Sequence, residues 1–209
     1  MNDIEIRNVC KKFGSKTVLD NFSHTFKAGS ITCIEGASGI GKTTLLNLIA
    51  GLAEPDSGSI SGVPARIACV FQEDRLCEDF SAVSNIRLVC GKTKKKAEIV
   101  RHLSELSLSE DLKKPVRDFS GGMKRRVAIA RAICFDADCI LMDEPFKGLD
   151  EESKKIAMDY VLRYTKGKTV ICITHDNSEA AYLGAALITM GKPDENVSGD
   201  PYIQAPENP

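Results

Sequence analysis

The chain has 209 residues, with Lys+Arg 28 against Asp+Glu 29 and a net charge of -1. That length supports one or two domains and a full apolar core without disulfide or metal staples. The even charge argues against a protein that mainly coats nucleic acid, so no nucleic-acid partner is expected. No apolar run reaches the ~18–20 residues of a membrane-spanning helix. The opening Met1-Asn2-Asp3-Ile4-Glu5 shows no basic patch leading into an apolar stretch, so no secretory signal is read. A membrane-crossing part, if the function needs one, is expected on another chain. Eight cysteines contain no C-x-x-C pair. Several sit in apolar runs and read as reduced core thiols of a cytosolic protein.

In chain order, Ile4 to Val9 and Val18 to Phe26 read as strands around the turn signal Phe13-Gly14-Ser15. Ile31 to Glu35 is a short β-branched run that ends at Gly36. Leu45, Leu46, Leu48, Ile49 and Leu52 then give one broad apolar face to a helix from about Lys42 to Leu52, with Gly51 and Pro55 as its stop signals. Ile67 to Phe71 is a further strand. From Ser81 to Phe135 the helical period dominates: the basic run Lys92 to Lys96 reads as a solvated helix start, and the helix ends near Ser107. Pro115 breaks the chain, and Ser120 to Cys134 follows as a long helix. Cys139 to Met142 and Val170 to Ile173 are buried-strand runs on either side of a helix from Glu151 to Tyr164. A short helix, Glu179 to Leu183, precedes a strand from Ala185 to Met190. Strands interleaved with helices predict an α/β core with mainly parallel strands, interrupted by a helical insertion. The core is expected at about 1–80 and 137–192, the insertion at about 81–136, and a weakly ordered tail at about 193–209.

Three segments carry chemistry. Gly36-Ala37-Ser38-Gly39-Ile40-Gly41-Lys42-Thr43, followed by Thr44, fits G-x-x-x-x-G-K-[ST] between a strand and a helix. Glycines let successive N–H groups turn inward toward phosphate oxygens, and the helix N-terminus points at the same anion. Lys42 reaches the outer phosphates, and Thr43 offers a hydroxyl to Mg2+. Second, Cys139-Ile140-Leu141-Met142-Asp143-Glu144 carries two acids to the end of a buried strand. Asp143 there can hold Mg2+ through water, and Glu144 can polarise an attacking water, unless the pair simply opens a loop before Pro145. Third, Ser120-Gly121-Gly122 opens the long helix, either as a plain N-cap or as a second anion site. One triphosphate needs one cradle, and a symmetric dimer in which each chain offers its second site to the other would use both.

Together, from about Ile4 to about Lys192, these residues resemble the ATP-binding subunits of ABC transporters. The first loop is similar to the Walker A motif and Asp143-Glu144 to Walker B with its adjoining glutamate. Ser120-Gly121-Gly122-Met123 resembles the family signature, with Phe119 and Met123 in place of the commoner Leu and Gln. Gln72 resembles the Q-loop glutamine, Gly148-Leu149-Asp150 the D-loop, and Thr174-His175-Asp176 the switch-histidine motif.

The resemblance implies a P-loop NTPase (RecA-like) fold with a mainly parallel sheet, an N-terminal antiparallel β part and the inserted helices. It implies ATP as substrate, with Mg2+ served by Thr43, Gln72 and Asp143. Lys42, Gln72, Glu144 and His175 would be catalytic, with Glu144 orienting water and His175 touching the γ-phosphate. Phe13 would stack on adenine, where the family often has Tyr; core or rim packing is the other reading of Phe13. Ser120, Gly121 and Gly122 would reach the nucleotide of a second copy, with Asp150 near the dimer interface.

Phe71 to Leu76, Val83 to Ile86 and Gly122 to Ala132 resemble the nitrate/sulfonate/taurine-type importer ATPases, although Cys77-Glu78-Asp79 depart from them. This likeness implies import of a small anion through a separate membrane permease, at the cytoplasmic face of the membrane, with an extracellular solute-binding protein as a further partner. The alternatives are a soluble ABC ATPase of DNA repair or translation, an exporter subunit, or a non-hydrolysing regulator.

Overall fold

The computed structural model describes residues 1–110 and 112–191, and the backbone of 203–204. Two sheets organise the described residues. The first is antiparallel, in the order β2-β1-β4, formed by β1 (Ile4–Phe13), β2 (Lys16–Phe26) and β4 (Ser57–Ser61). The second has the order β5-β6-β7-β3-β8-β9. Its members β5 (Ile67–Val70), β6 (Cys139–Asp143), β7 (Thr169–Ile173), β3 (Ile31–Gly36) and β8 (Ala186–Met190) are parallel, and β9 (Ile203–Gln204) adds antiparallel to β8. The helices are α1 (Lys42–Ile49), α2 (Ala82–Cys90), α3 (Lys96–Glu105), α4 (Gly121–Cys134), α5 (Glu151–Tyr164) and α6 (Asn177–Tyr182).

The near-continuous apolar runs of β6 and β7 follow from burial on both faces, as expected of parallel strands. Side chains alternate across the sheet. Ile140, Met142, Val170 and Cys172 therefore join one core with α2 to α5. Cys139, Leu141, Ile171 and Ile173 join the other, with α1 and the inward residues Ile4, Ile6, Leu19, Phe22 and Phe26 of the antiparallel sheet. The helical stretch thus shares its apolar core with one face of the parallel sheet.

The expected α/β architecture is present, with differences at element ends. The strand expected to stop at Val9 runs on to Phe13, because β2 returns beside it with Phe13 opposite Lys16. The first helix stops at Ile49 rather than Leu52, Gly51 takes φ 69°, and Leu52 is exposed. Strand β4 is not predicted by Ser-Gly-Ser-Ile-Ser, which has no apolar alternation; its pairing is supplied by β1, with Ile60 opposite Ile6. Helix α2 starts at the N-cap Ser81, whose hydroxyl accepts from Ser84 N–H at 3.2 Å, and it buries Val83, Ile86 and Cys90 at helical spacing.

All eight cysteines are free. Cys33, Cys90, Cys134, Cys139 and Cys172 are buried, Cys10 and Cys69 are half-buried, and Cys77 is exposed. Burial pushes the Cys134 and Cys139 thiols up to about 12, which keeps them protonated packing groups. The expected weakly ordered tail, 193–209, lies outside the described residues except for the short β9.

Candidate functional site

Parallel strands place their C-terminal ends along one sheet edge, where α/β folds bind ligands. At that edge β3 delivers the 36–44 loop, β5 delivers Gln72, β6 delivers Asp143 and Glu144, and β7 delivers His175. A cavity of about 280 Å3 opens there. It is lined by Ser38, Gly39, Gly41, Lys42, Thr43, Thr44, Gln72, Asp143, Glu144 and His175, with Lys16, Val18 and Ile173. Ala37 and Ile40 line a neighbouring hollow that shares Lys16, Val18, Ser38 and Gly39 with the first.

The loop geometry demands glycine at two points. Gly36 has φ 144°, and a Cβ there would lie 2.4 Å from the Met190 carbonyl oxygen. Gly41, the N-cap of α1, has φ 116°, and its Cβ would press on Val18 and Leu19 at 3.0 to 3.1 Å. With no side chain capping α1, the first N–H groups of that helix are left for an anion. The Lys42 ammonium is buried and donates to the carbonyls of Gly36 at 2.7 Å and Ala37 at 3.0 Å. Burial pulls its pKa below the ordinary lysine value, against the pull of Glu144 and Asp143.

Thr43 Oγ1 donates to Asp143 Oδ2 at 2.7 Å. Burial raises the Asp143 carboxyl, while Thr43 and Lys42 oppose that shift and Glu144 adds to it. Glu144 has φ 48°, which turns it out of the strand, and its N–H donates to the Ile173 carbonyl at 3.0 Å. Its two carboxylate oxygens are held separately: Oε1 lies 2.9 Å from His175 Nε2, and Oε2 accepts from Lys147 Nζ at 2.6 Å. Burial raises this carboxyl, but Lys147 and His175 outweigh it, and the pKa ends below the usual value.

The His175 turn is itself braced. Thr174 Oγ1 donates to the buried Glu179 at 2.6 Å and accepts from Asp176 N–H at 3.0 Å. Lys154 lies 3.4 Å from Asp176 and 3.8 Å from Glu179.

The remaining expected residues lie elsewhere. Phe13 ends β1, is 56% exposed and lines neither hollow; its ring packs under Lys11 Nζ at 5.6 Å from the centroid. Ser120 caps α4 by accepting from Met123 N–H at 3.2 Å. Gly121 faces open space, and Gly122 packs near Leu149. Asp150 caps α5 by accepting from Ser153 N–H at 2.8 Å, and that bond holds its carboxyl below the usual range. Sequence reasoning misses Lys147 and Lys16. Lys147 stands three residues past Glu144 as a visible signal; Lys16 has none, because only the β1–β2 return brings it to the loop.

A family profile described as ABC transporter matches residues 19–147. The chain belongs to the ABC transporter family. It is an ATP-binding, ATP-hydrolysing subunit, a P-loop ATPase. This ABC ATPase is 38% identical to the taurine import ATP-binding protein TauB of Jannaschia sp. (strain CCS1), over 91% of this chain and 78% of that protein. It is 36% identical to the bicarbonate transport ATP-binding protein CmpD of Synechococcus elongatus, over 88% and 74%. It is 35% identical to the aliphatic sulfonates import ATP-binding protein SsuB 1 of Pseudomonas syringae pv. tomato, over 97% and 75%. Its fold matches the dimeric structure of MJ0796, a bacterial ABC transporter cassette, with a TM-score of 0.79 and 28% identity over 89% of this chain and 93% of that one. A second structure of MJ0796, in a post-hydrolysis state bound to ADP and Pi, matches at 0.78. Among the described residues no helix is long and apolar enough to cross a membrane.

Proposed function

We propose that this ABC ATPase powers the uptake of a small anion through a separate membrane permease. The reading of the catalytic centre rests on one observation: four parallel strands converge the 36–44 loop, Gln72, Asp143, Glu144 and His175 on one cavity. Import rather than export, repair or translation is favoured by relatives whose names specify taurine, sulfonate and bicarbonate transport.

In the proposed mechanism Lys42 exchanges the Gly36 and Ala37 carbonyls for phosphate oxygens, and the uncapped start of α1 adds backbone donors. The Thr43 hydroxyl and the Asp143 carboxylate, 2.7 Å apart, are hard oxygen donors that suit Mg2+, with the Gln72 side chain at the same cavity. A bound Mg2+ would neutralise charge on the β- and γ-phosphate oxygens. Glu144, whose two carboxylate oxygens are held by His175 and Lys147, orients the attacking water and accepts its proton, and His175 touches the γ-phosphate once ATP is bound. Catalysis is then mostly positioning and charge stabilisation. Phe13, exposed at the end of β1, stacks on adenine. Ser120, Gly121 and Gly122 of a second copy close over the γ-phosphate, and Asp150 lies at that interface.

We further propose that residues 1–80 and 137–192 act as the nucleotide lobe and 81–136 as the lobe that meets the permease. The exposed Leu88 and Val89 of that lobe, with Phe80 just before it, offer apolar surface for that contact. The permease holds the chain at the cytoplasmic face of the membrane, and an extracellular solute-binding protein delivers the anion.

Glu144→Gln tests the centre. It should leave ATP binding intact and trap an ATP-dependent dimer, with phosphate release down by about 10²–10⁴-fold. Hydrolysis at the normal rate would remove Glu144 from its role. Copurification of the chain with a permease, and ATP-dependent uptake of taurine, a sulfonate or bicarbonate into vesicles carrying that pair, tests the transport reading.

A further inference from the structure

Gln72 sits on a segment whose shape is held from outside. Between β5 and α2, the carbonyls of Phe71, Gln72, Asp74 and Arg75 all accept from guanidinium groups of α4. Arg125 Nη1 donates to Phe71 O at 2.6 Å and Nη2 to Gln72 O at 2.5 Å. Arg131 Nη2 donates to Asp74 O at 2.8 Å and Nη1 to Arg75 O at 2.7 Å. Arg125 is also 3.2 Å from Asp74 Oδ1 and is 7% exposed. The segment closes on itself, with Arg75 at φ 47° and its guanidinium 3.8 Å from the centroid of the Phe71 ring.

A buried guanidinium is costly to desolvate, so it is retained only where several acceptors meet it in good geometry. Here Arg125 is met by the Phe71 and Gln72 carbonyls and the Asp74 carboxylate, and Arg131 adds bonds to the Asp74 and Arg75 carbonyls, which makes the conformation of that segment depend on α4. The same helix starts at Ser120-Gly121-Gly122, so one rigid element carries both the anchor of Gln72 and the second glycine-rich helix start.

The geometry points to Arg125 and Arg131 as positioning residues for hydrolysis. They fasten the Gln72 segment to α4, so that the Gln72 amide enters the cavity only in register with the Ser120–Gly122 start. Neither arginine lines the cavity; each holds the backbone that carries Gln72, and the Arg125 charge also pulls the Asp143 carboxyl down. The inference rests on the proposed role of Gln72 in the catalytic centre.

The test is a double-mutant cycle on the full chain, reading kcat, KM for ATP and the Mg2+ concentration at half-maximal rate, with binding of a fluorescent ATP analogue as the check on folding. Arg125→Met should lower kcat by about tenfold while KM moves less than about twofold, because the 36–44 loop is untouched. Arg125→Lys, which keeps the charge and part of the donor set, should recover some of that loss. Gln72→Ala should lower kcat and raise the Mg2+ requirement. The Arg125→Met/Gln72→Ala pair should be no slower than the worse single variant within about twofold, since both changes remove the same placement.

Losses that multiply in the pair, or a kcat unchanged by Arg125→Met, overturn the positioning role and leave Gln72 in place. A Gln72→Ala variant with unaltered kcat and Mg2+ dependence overturns the role of Gln72 and this inference with it. If Arg125→Met does not fold, Arg125→Lys and Arg131→Lys run the same cycle against Gln72→Ala and separate the same two outcomes.

Discussion

The helices α1 and α4 both begin next to glycines, yet their surroundings differ. Gly41 caps α1 with no side chain, and the helix opens into a cavity ringed by Lys42, Thr43, Asp143 and Glu144. Ser120 caps α4 and already satisfies Met123 N–H, while Gly121 faces open space. A helix N-terminus becomes an anion site when its orphan donors stay free and other charges converge on it. The first start meets both conditions within one chain. The second meets them only if another molecule brings the anion to it, which is the part a second copy plays in the proposed dimer.

The anion-binding start of α1 depends most on Lys42. Lys42→Ala should weaken ATP binding by roughly ten- to a hundredfold, as expected for losing charge-assisted bonds to phosphate. Equilibrium titration with a fluorescent ATP analogue reads this, and unchanged affinity would make α1 an ordinary helix start. Next comes Gly36→Ala. The new Cβ meets a backbone oxygen and the residue sits at φ 144°, so unfolding in urea should show a loss of about 1–3 kcal/mol. An unaffected midpoint would mean that the loop can relax without its glycine.

Ser120→Ala sharpens the other side. As an N-cap it should cost about 1 kcal/mol in stability. As a site completed by a second copy, it should also reduce the ATP-driven dimer of the Glu144→Gln background, while ATP binding to the single chain stays the same. A dimer of full strength would leave Ser120 as a cap alone.

The smallest effect touches neither helix start and sets the baseline. His102 is buried in α3, with Nδ1 2.8 Å from the Tyr160 hydroxyl. Burial holds its pKa below the ordinary value, helped by Lys94 and Arg101 and opposed by Glu105 and Glu98. The folded chain therefore takes up this proton at lower pH than the unfolded chain, whose histidine titrates near about 6.5. Its contribution to stability is intact above that value and is lost as pH falls from there toward the lower folded pKa. His102→Asn should flatten the fall of Tm over that acid window, measured by calorimetry. A slope identical to the parent would show that other groups carry it.

Much of the fold and the site is legible in the linear chain. The run Cys139 to Met142 is apolar at every position because both faces of β6 are buried, and the loop 36–44 names its own chemistry through its glycines, a lysine and a threonine. Less legible are the elements held by partners distant in sequence. Strand β4 has no pattern of its own and exists because β1 offers it an edge. The ends of β1 and α1 shift for local reasons, one extended by the hairpin return of β2 and the other stopped by Gly51 at φ 69°.

What the linear chain determines by itself is local: which runs are apolar, which turns need glycine, and which helix starts can face an anion. Those are properties of a few consecutive residues and their backbone freedom. Tertiary structure alone decides what meets at the strand ends. Gln72, Asp143 and His175 stand about a hundred residues apart from first to last, and only the parallel order β5-β6-β7-β3 sets them beside Lys42. The Lys147 and His175 contacts to Glu144, and the arginines of α4 on the Gln72 segment, likewise depend on side chains reaching across elements. No periodicity records such contacts, because their geometry is fixed by packing rather than by neighbours in the chain.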